Sequence, residues 1–215
     1  MSDTTRAAGI CGVLFAITFA VGGILLGDLF GSFADSDETF TEYYASNSNQ
    51  NGSALGGLLL LISGIAFLPF VAGLIRLIDP KQTSWAAVQL AVPLSYLAAG
   101  LIVAAAAALS TVGFARAFAD ITGESPPPFQ GSSIAVLPQF GYVLMVFAGW
   151  ALAVVLAILA SVSTRARSMP RAVVWLTIVC VGLLVLAPSG GTFFALPVWS
   201  LASSVAMLRR KTPEA

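Results

Sequence analysis

Apolar runs long enough to cross a membrane recur along almost the whole chain, and that recurrence limits the fold more than any other feature. About 20 such residues in a helix span the ~30 Å hydrocarbon core of a bilayer. Charged residues make up only 9% of the 215 positions, against 58% hydrophobic, with a mean hydropathy of +0.92. A soluble domain is typically about a quarter charged, so this chain has too little polar surface to coat a globule. It reads as an all-α, polytopic membrane helix bundle.

Six transmembrane spans are expected, over 7–30, 54–75, 85–109, 134–160, 172–187 and 193–208. The last two are short, and the flanking charge decides how they thread. RARSMPR precedes the fifth and RRK follows the sixth. Basic loops stay on the cytoplasmic side, so an even number of crossings must separate them, with the turn at PSGG, Pro188 to Gly191. Both termini are then cytoplasmic. Arg6, Arg76, Lys81, Arg165, Arg167, Arg171, Arg209, Arg210 and Lys211 face the cytoplasm, and Arg116 alone among the cations lies outside. Asp28, Asp35, Asp37, Glu38, Glu42, Asp120 and Glu124 sit at or beyond the outer face. Residues 1–215 form one transmembrane domain of the cell membrane, with long outer loops over 31–53 and 110–133 that make the outer face the elaborated one. The first run is read as an uncleaved helix, because its apolar core exceeds the 7–15 residues of a signal peptide and a single Arg leads it. No repeat links the two halves, which argues against an inverted-repeat transporter.

Much chemistry is excluded by what the chain lacks. There is no histidine, which removes imidazole acid–base catalysis, Ser–His–Asp triads and most transition-metal sites. Cys11 and Cys180 both fall inside apolar runs and read as packing residues rather than a disulfide. No basic stripe suits nucleic acid. The acidic stretch GDLFGSFADSDETFTEYY resembles a calcium loop only until its spacing is checked: Phe40 stands where Gly is needed and Ser46 where the bidentate Glu is needed. No metal or cofactor site is expected. Asp35 and Asp37 lack the second element of a catalytic constellation, so no enzyme is expected either. Ser36 instead suits the cap of a short surface helix, with Phe40, Tyr43 and Tyr44 on one interfacial face and a polar loop, ASNSNQNGS, beyond it.

Candidate ligand-binding residues follow from polarity at membrane depth. Asp28 ends the first apolar run, and an ionisable group there has a partner or a task. Arg116 is the available outer cation, although Asp120 competes for it four residues on. An Arg116–Asp28 contact is either a latch or a ligand clamp. Gln89 and Tyr96 share one helical face, and Gln139 and Tyr142 another; they line a polar pocket or make interhelical hydrogen bonds. Gly23, Gly27 and Gly31 form a small-xxx-small ridge for helix packing, within the chain or across a homodimer. Phe114, Phe118 and Ile121 suggest a short amphipathic segment on the outer rim. Pro69, Pro93 and Pro197 lie deep enough to kink their helices, whereas Pro138 falls in a first turn.

The stretch YYASNSNQNGSALGGLLLLISGIAFLPFVAGLIRLI, Tyr43 to Ile78, resembles uncharacterised bacterial multi-span membrane proteins, in which an acidic, aromatic outer loop leads into a second helix and a short basic inner loop. That resemblance carries over no activity or site residue; the plasma membrane is the expected location from the chain's own threading. The expected role is a structural or accessory membrane subunit, surrounded by lipid and packed against another membrane protein or a second copy. The alternative is binding or transport of a small molecule or lipid through a cavity open to the outer face.

Overall fold

The computed structural model describes residues 3–27, 37–79, 84–123, 132–186 and 190–209; these are helical apart from short connections, with no strand among them. Seven α-helices follow in order: α1 (Asp3–Leu25), α2 (Asp37–Tyr43), α3 (Asn47–Ile78), α4 (Val92–Thr122), α5 (Ser132–Ala166), α6 (Arg171–Leu186) and α7 (Ala195–Arg209). A π-helical turn, Ala86–Ala91, leads into α4, and a 3-10 turn, Gly190–Phe194, into α7. Five helices are long and apolar enough to cross a membrane: α1, α3, α4, α5, and α7 with the turn before it. The apolar α6 has 16 residues, about 24 Å of helix against a core of ~30 Å.

The long helices close a ring. α1 packs on α3, α3 on α4, α4 on α5, α5 on α6, α6 on α7, and α7 back on α1. Large side chains fill the interior: Phe15, Phe67, Phe70, Leu60, Ile102, Leu109, Met145 and Trp199 are all fully buried. Phe70 meets Trp199 edge-on at 5.5 Å between ring centroids, and Phe15 tilts on Phe67 at 5.2 Å. Such pairs add about 0.5–1.5 kcal/mol beyond burial. Where α1 crosses Phe70 of α3 and Ser204 of α7, only glycine fits: a Cβ on Gly12 would overlap both side chains. The Gly12 carbonyl there accepts a 2.6 Å hydrogen bond from the Ser200 hydroxyl of α7.

These contacts also fix the register. Gly9 lies beside Leu208 and Gly73 beside Ala8, so the start of α1, the end of α3 and the end of α7 meet at one end of the bundle. Leu74, Ile78, Ser163, Val173 and Ser203 surround a small space of about 10 Å³ near that end, which brings α5 and α6 to it. Arg6, Arg76, Arg165, Arg167, Arg171 and Arg209 therefore gather at one end. Arg116 lies at the other, where Gly113 packs on Gln50 and Ser53 of α3.

Several expectations are corrected. The polar stretch after Tyr44 is not a loop from its third residue on: α3 begins at Asn47, and the amides of Asn49 and Gln50 bond back to the carbonyls of Tyr43 (3.0 Å) and Tyr44 (2.7 Å). The segment carrying Phe114, Phe118 and Ile121 is no separate rim helix, because α4 runs unbroken to Thr122 and stops at Gly123, whose φ of 71° is the left-handed cap that glycine provides. The short α2 is where the capped acidic helix was expected, but Phe40 and Tyr44 are buried in the protein rather than laid in the interface. Pro138 lies inside α5, past its first turn, whereas Pro197 falls in the first turn of α7 and is tolerated there. Pro69 lies within α3 as expected. Pro93 opens α4 immediately after the π turn, and a wider turn accommodates a ring that would clash with the carbonyl four residues earlier.

The α1–α3–α7 crossing gives a direct test. Gly12→Leu should lower stability by about 1–3 kcal/mol through overpacking, read as a lower midpoint of thermal unfolding in detergent. An unchanged midpoint would show that the seam is not close-packed.

Candidate functional site

The polar side chains of the arginine-poor end converge on one point, the break between α2 and α3. Two backbone carbonyls emerge there in a largely apolar setting, and an unpaired buried carbonyl costs about 1–3 kcal/mol. Tyr44 is fully buried, and its carbonyl accepts bonds from the Gln50 amide and from the Arg116 guanidinium of α4. The guanidinium carbon also stands 5.9 Å from the centroid of the Tyr44 ring, within cation–π range. On the far side of that ring, the Tyr44 hydroxyl (3.4 Å) and the Ser53 hydroxyl (3.1 Å) both donate to the Leu109 carbonyl. The knot ties α2, α3 and α4 together. Burial holds the Tyr44 phenol neutral: its pKa is pushed up from 10.0 to about 12, opposed by the Ser53 hydrogen bond and the Arg116 charge.

Arg116 is thus a latch on the Tyr44 carbonyl among the described residues, while Asp120 is exposed on the same helix. Asp28, Asp35 and Gly31 lie outside the described residues, so the Arg116–Asp28 pairing does too. Gln89 and Tyr96, at the start of the α4 run, are exposed; Gln139 and Tyr142 on α5 are partly buried. The structure does not bring the two pairs together. Gly141 packs on Leu109 and Ala105, which sets Tyr142 at that level, and Tyr96 lies about 15 Å away along α4. Gly23 makes an ordinary contact with Phe194, and a Cβ on Gly27 would meet nothing within 4 Å. The close approaches of α1 fall instead on Gly12 and Gly22. Cys11 and Cys180 are free thiols.

The arginine-rich end holds a different arrangement, which the residues RARSMPR announced only as charge. α5 ends at Ala166 and Arg167 follows with φ 50°, a left-handed conformation that an L side chain adopts at a cost of about 1–3 kcal/mol. The turn it makes is closed by the Ser168 N–H donating to the Ser163 carbonyl at 3.3 Å. A cavity of about 570 Å³ opens between the end of α5 and the start of α6, lined among others by Arg167, Arg171, Val174, Trp175 and Ile178. Further along the same two helices lies a second, apolar hollow of about 460 Å³, lined by Trp150, Val154, Ala157, Val181 and Val185. The signal for it in the sequence was Trp175 and Ile178 following the basic cluster at helical spacing.

No family model matches the chain, and no curated protein or solved structure matches it.

Two outcomes test the knot. Arg116→Ala should cost about 1.5–3 kcal/mol, the range for a hydrogen bond to a charged group, while Asp120→Asn changes the unfolding midpoint little; the reverse order would make the local pair the working one. Because the folded Tyr44 pKa is raised, the burial of its phenol contributes in full below pH 10.0 and is lost as pH climbs toward about 12. Thermal unfolding followed across that window should fall more steeply in the native chain than in Tyr44→Phe, and parallel curves would mean that Tyr44 ionises freely.

Proposed function

We propose that the chain crosses a cell membrane six times, with both termini cytoplasmic, and serves as a structural or accessory subunit that packs sideways against another membrane protein or a second copy. The observation that carries this reading is the filled interior: aromatic and branched side chains occupy the centre of the helix ring, and the outer cation Arg116 is engaged on a backbone carbonyl. A conduit asks for a polar path through the ring, and a ligand clamp at the outer face asks for a free Arg116. The gathering of arginines at the end shared by the start of α1 and the end of α7 supports an even number of crossings and a cytoplasmic position for both. α6 is the short crossing, and a helix several ångströms shorter than the bilayer is accommodated by local thinning at modest cost. Gly27, just past the end of α1, would carry a Cβ that meets no described atom within 4 Å, and that is the surface offered for lateral packing.

Threading is tested in a background with Cys11→Ala and Cys180→Ala. Thr122→Cys should react with a membrane-impermeant maleimide on intact cells, and Arg209→Cys only after permeabilisation. Labelling of both from the same side ends the proposal of six crossings. Lateral assembly is tested with Gly27→Leu, which has room within the chain: it should leave the unfolding midpoint unchanged and shift the complex to smaller size in gentle extracts. An unshifted complex removes that ridge from the assembly.

A further inference from the structure

We propose that the groove between α5 and α6 holds one anionic phospholipid, with its phosphate between Arg167 and Arg171 and an acyl chain laid along Trp175 and Ile178 toward Val181 and Val185.

Three observations on the same two helices point to this occupant. The first is charge: among the described residues, Arg167 and Arg171 are the charged ones lining the 570 Å³ cavity, both exposed, and no acid lines it with them. The cavity also opens at the N-terminal end of α6, where the helix dipole favours an anion although the Val173 and Val174 N–H groups are bonded to the Pro170 carbonyl. The second is polarity along the groove. Trp175 is 67% and Ile178 46% exposed at the basic end, and the line continues into the apolar hollow of Trp150, Val154 and Val185. From Val174 to Val185 the helix rises about 16 Å, which matches one leaflet, half of a ~30 Å core. A free phosphate would use only the basic end and leave this length without purpose. The third is strain. Arg167 occupies a position where glycine is the unstrained choice, so the guanidinium is held at the cavity mouth against the preference of its backbone. Trp at the level of the headgroups fits the same placement.

The inference rests on α5 and α6 crossing the bilayer as proposed above, but not on which side the arginines face. The full chain, with Trp85→Phe and Trp150→Phe so that Trp175 dominates the accessible fluorescence, is reconstituted into phosphatidylcholine vesicles. Brominated-chain phosphatidylglycerol or brominated-chain phosphatidylcholine is then titrated in. The anionic lipid should quench Trp175 at a mole fraction about thirtyfold lower than the zwitterionic one, in line with the pull of two basic side chains near the surface. Arg167→Gly with Arg171→Gln should bring the two curves together. Arg167→Gly relieves the left-handed residue, so the variant keeps its fold, checked by its unfolding midpoint. Arg209→Ala, at the same end but outside the groove, should keep the preference. Equal quenching in the native chain, or loss of the preference in Arg209→Ala, overturns the proposal in favour of general surface charge. Abolition of the preference by inorganic phosphate at moderate concentration overturns it in favour of a free-anion site. The maleimide labelling above reports failure of the threading separately, since it does not depend on any lipid.

Discussion

In the bilayer proposed for this chain there is no water to serve the backbone, so every carbonyl and N–H of the apolar helices must find its partner inside the protein. That single requirement explains the helices, and it also explains what the few polar side chains do. Thr18, Ser95, Ser110 and Thr177 each return their hydroxyl to the carbonyl four residues earlier, at 2.8, 2.6, 2.7 and 2.8 Å. Polar residues on such helices therefore cost little and need no ligand to justify them. Fewer reach across: Ser200 to the Gly12 carbonyl, and the Trp199 indole to the Thr177 hydroxyl at 3.0 Å. Both crossings join α7 to its neighbours α1 and α6, where a short helix has least apolar area with which to hold its place.

The requirement is hardest to meet where a helix breaks. Between α2 and α3 the chain leaves helical geometry beside a packed interior, and the carbonyls of Tyr43 and Tyr44 would be stranded. Asn49, Gln50 and Arg116 supply the missing donors. Amides that look like loop residues in the sequence are caps, and the outer cation is a cap as well. At the opposite end of α4 the same need is met differently: the π turn widens the backbone before Pro93 instead of recruiting a side chain.

How much of this could be read in advance follows from which forces are local. The six apolar runs each correspond to a helix, because burial in lipid is written residue by residue in hydropathy. Their ends were misplaced wherever polar residues serve a helix rather than a loop. ASNSNQNGS reads as a loop by composition, yet seven of its residues belong to α3, since Asn49 and Gln50 bond backward to carbonyls only a fold brings near. Likewise Thr111, Arg116 and Asp120 read as loop, while α4 carries them on its outer turns. The glycine seam was legible as a kind of device but not as a position: the spacing of Gly23, Gly27 and Gly31 is a pattern, whereas the use of Gly12 depends on Phe70 and Ser204 from two other helices. Gln89, Tyr96, Gln139 and Tyr142 group by helical spacing, and the separation of about 15 Å between the pairs comes from the register of α4 against α5.

The two ends of the bundle treat arginine in opposite ways, and the contrast follows from solvent and backbone together. At the end with one cation, a helix break leaves a carbonyl to be satisfied, and Arg116 turns inward to it beside the Gln50 amide; truncating it would leave that carbonyl to Gln50 alone. At the end with many, α5 closes its own C-terminus through the Ser168 N–H. Arg167 and Arg171 are then left pointing outward over a cavity, one of them from a strained residue. Exposed arginines are stable in water, and what the proposed lipid adds is an apolar tail along the hollow beyond them. A bilayer provides that molecule at high local concentration.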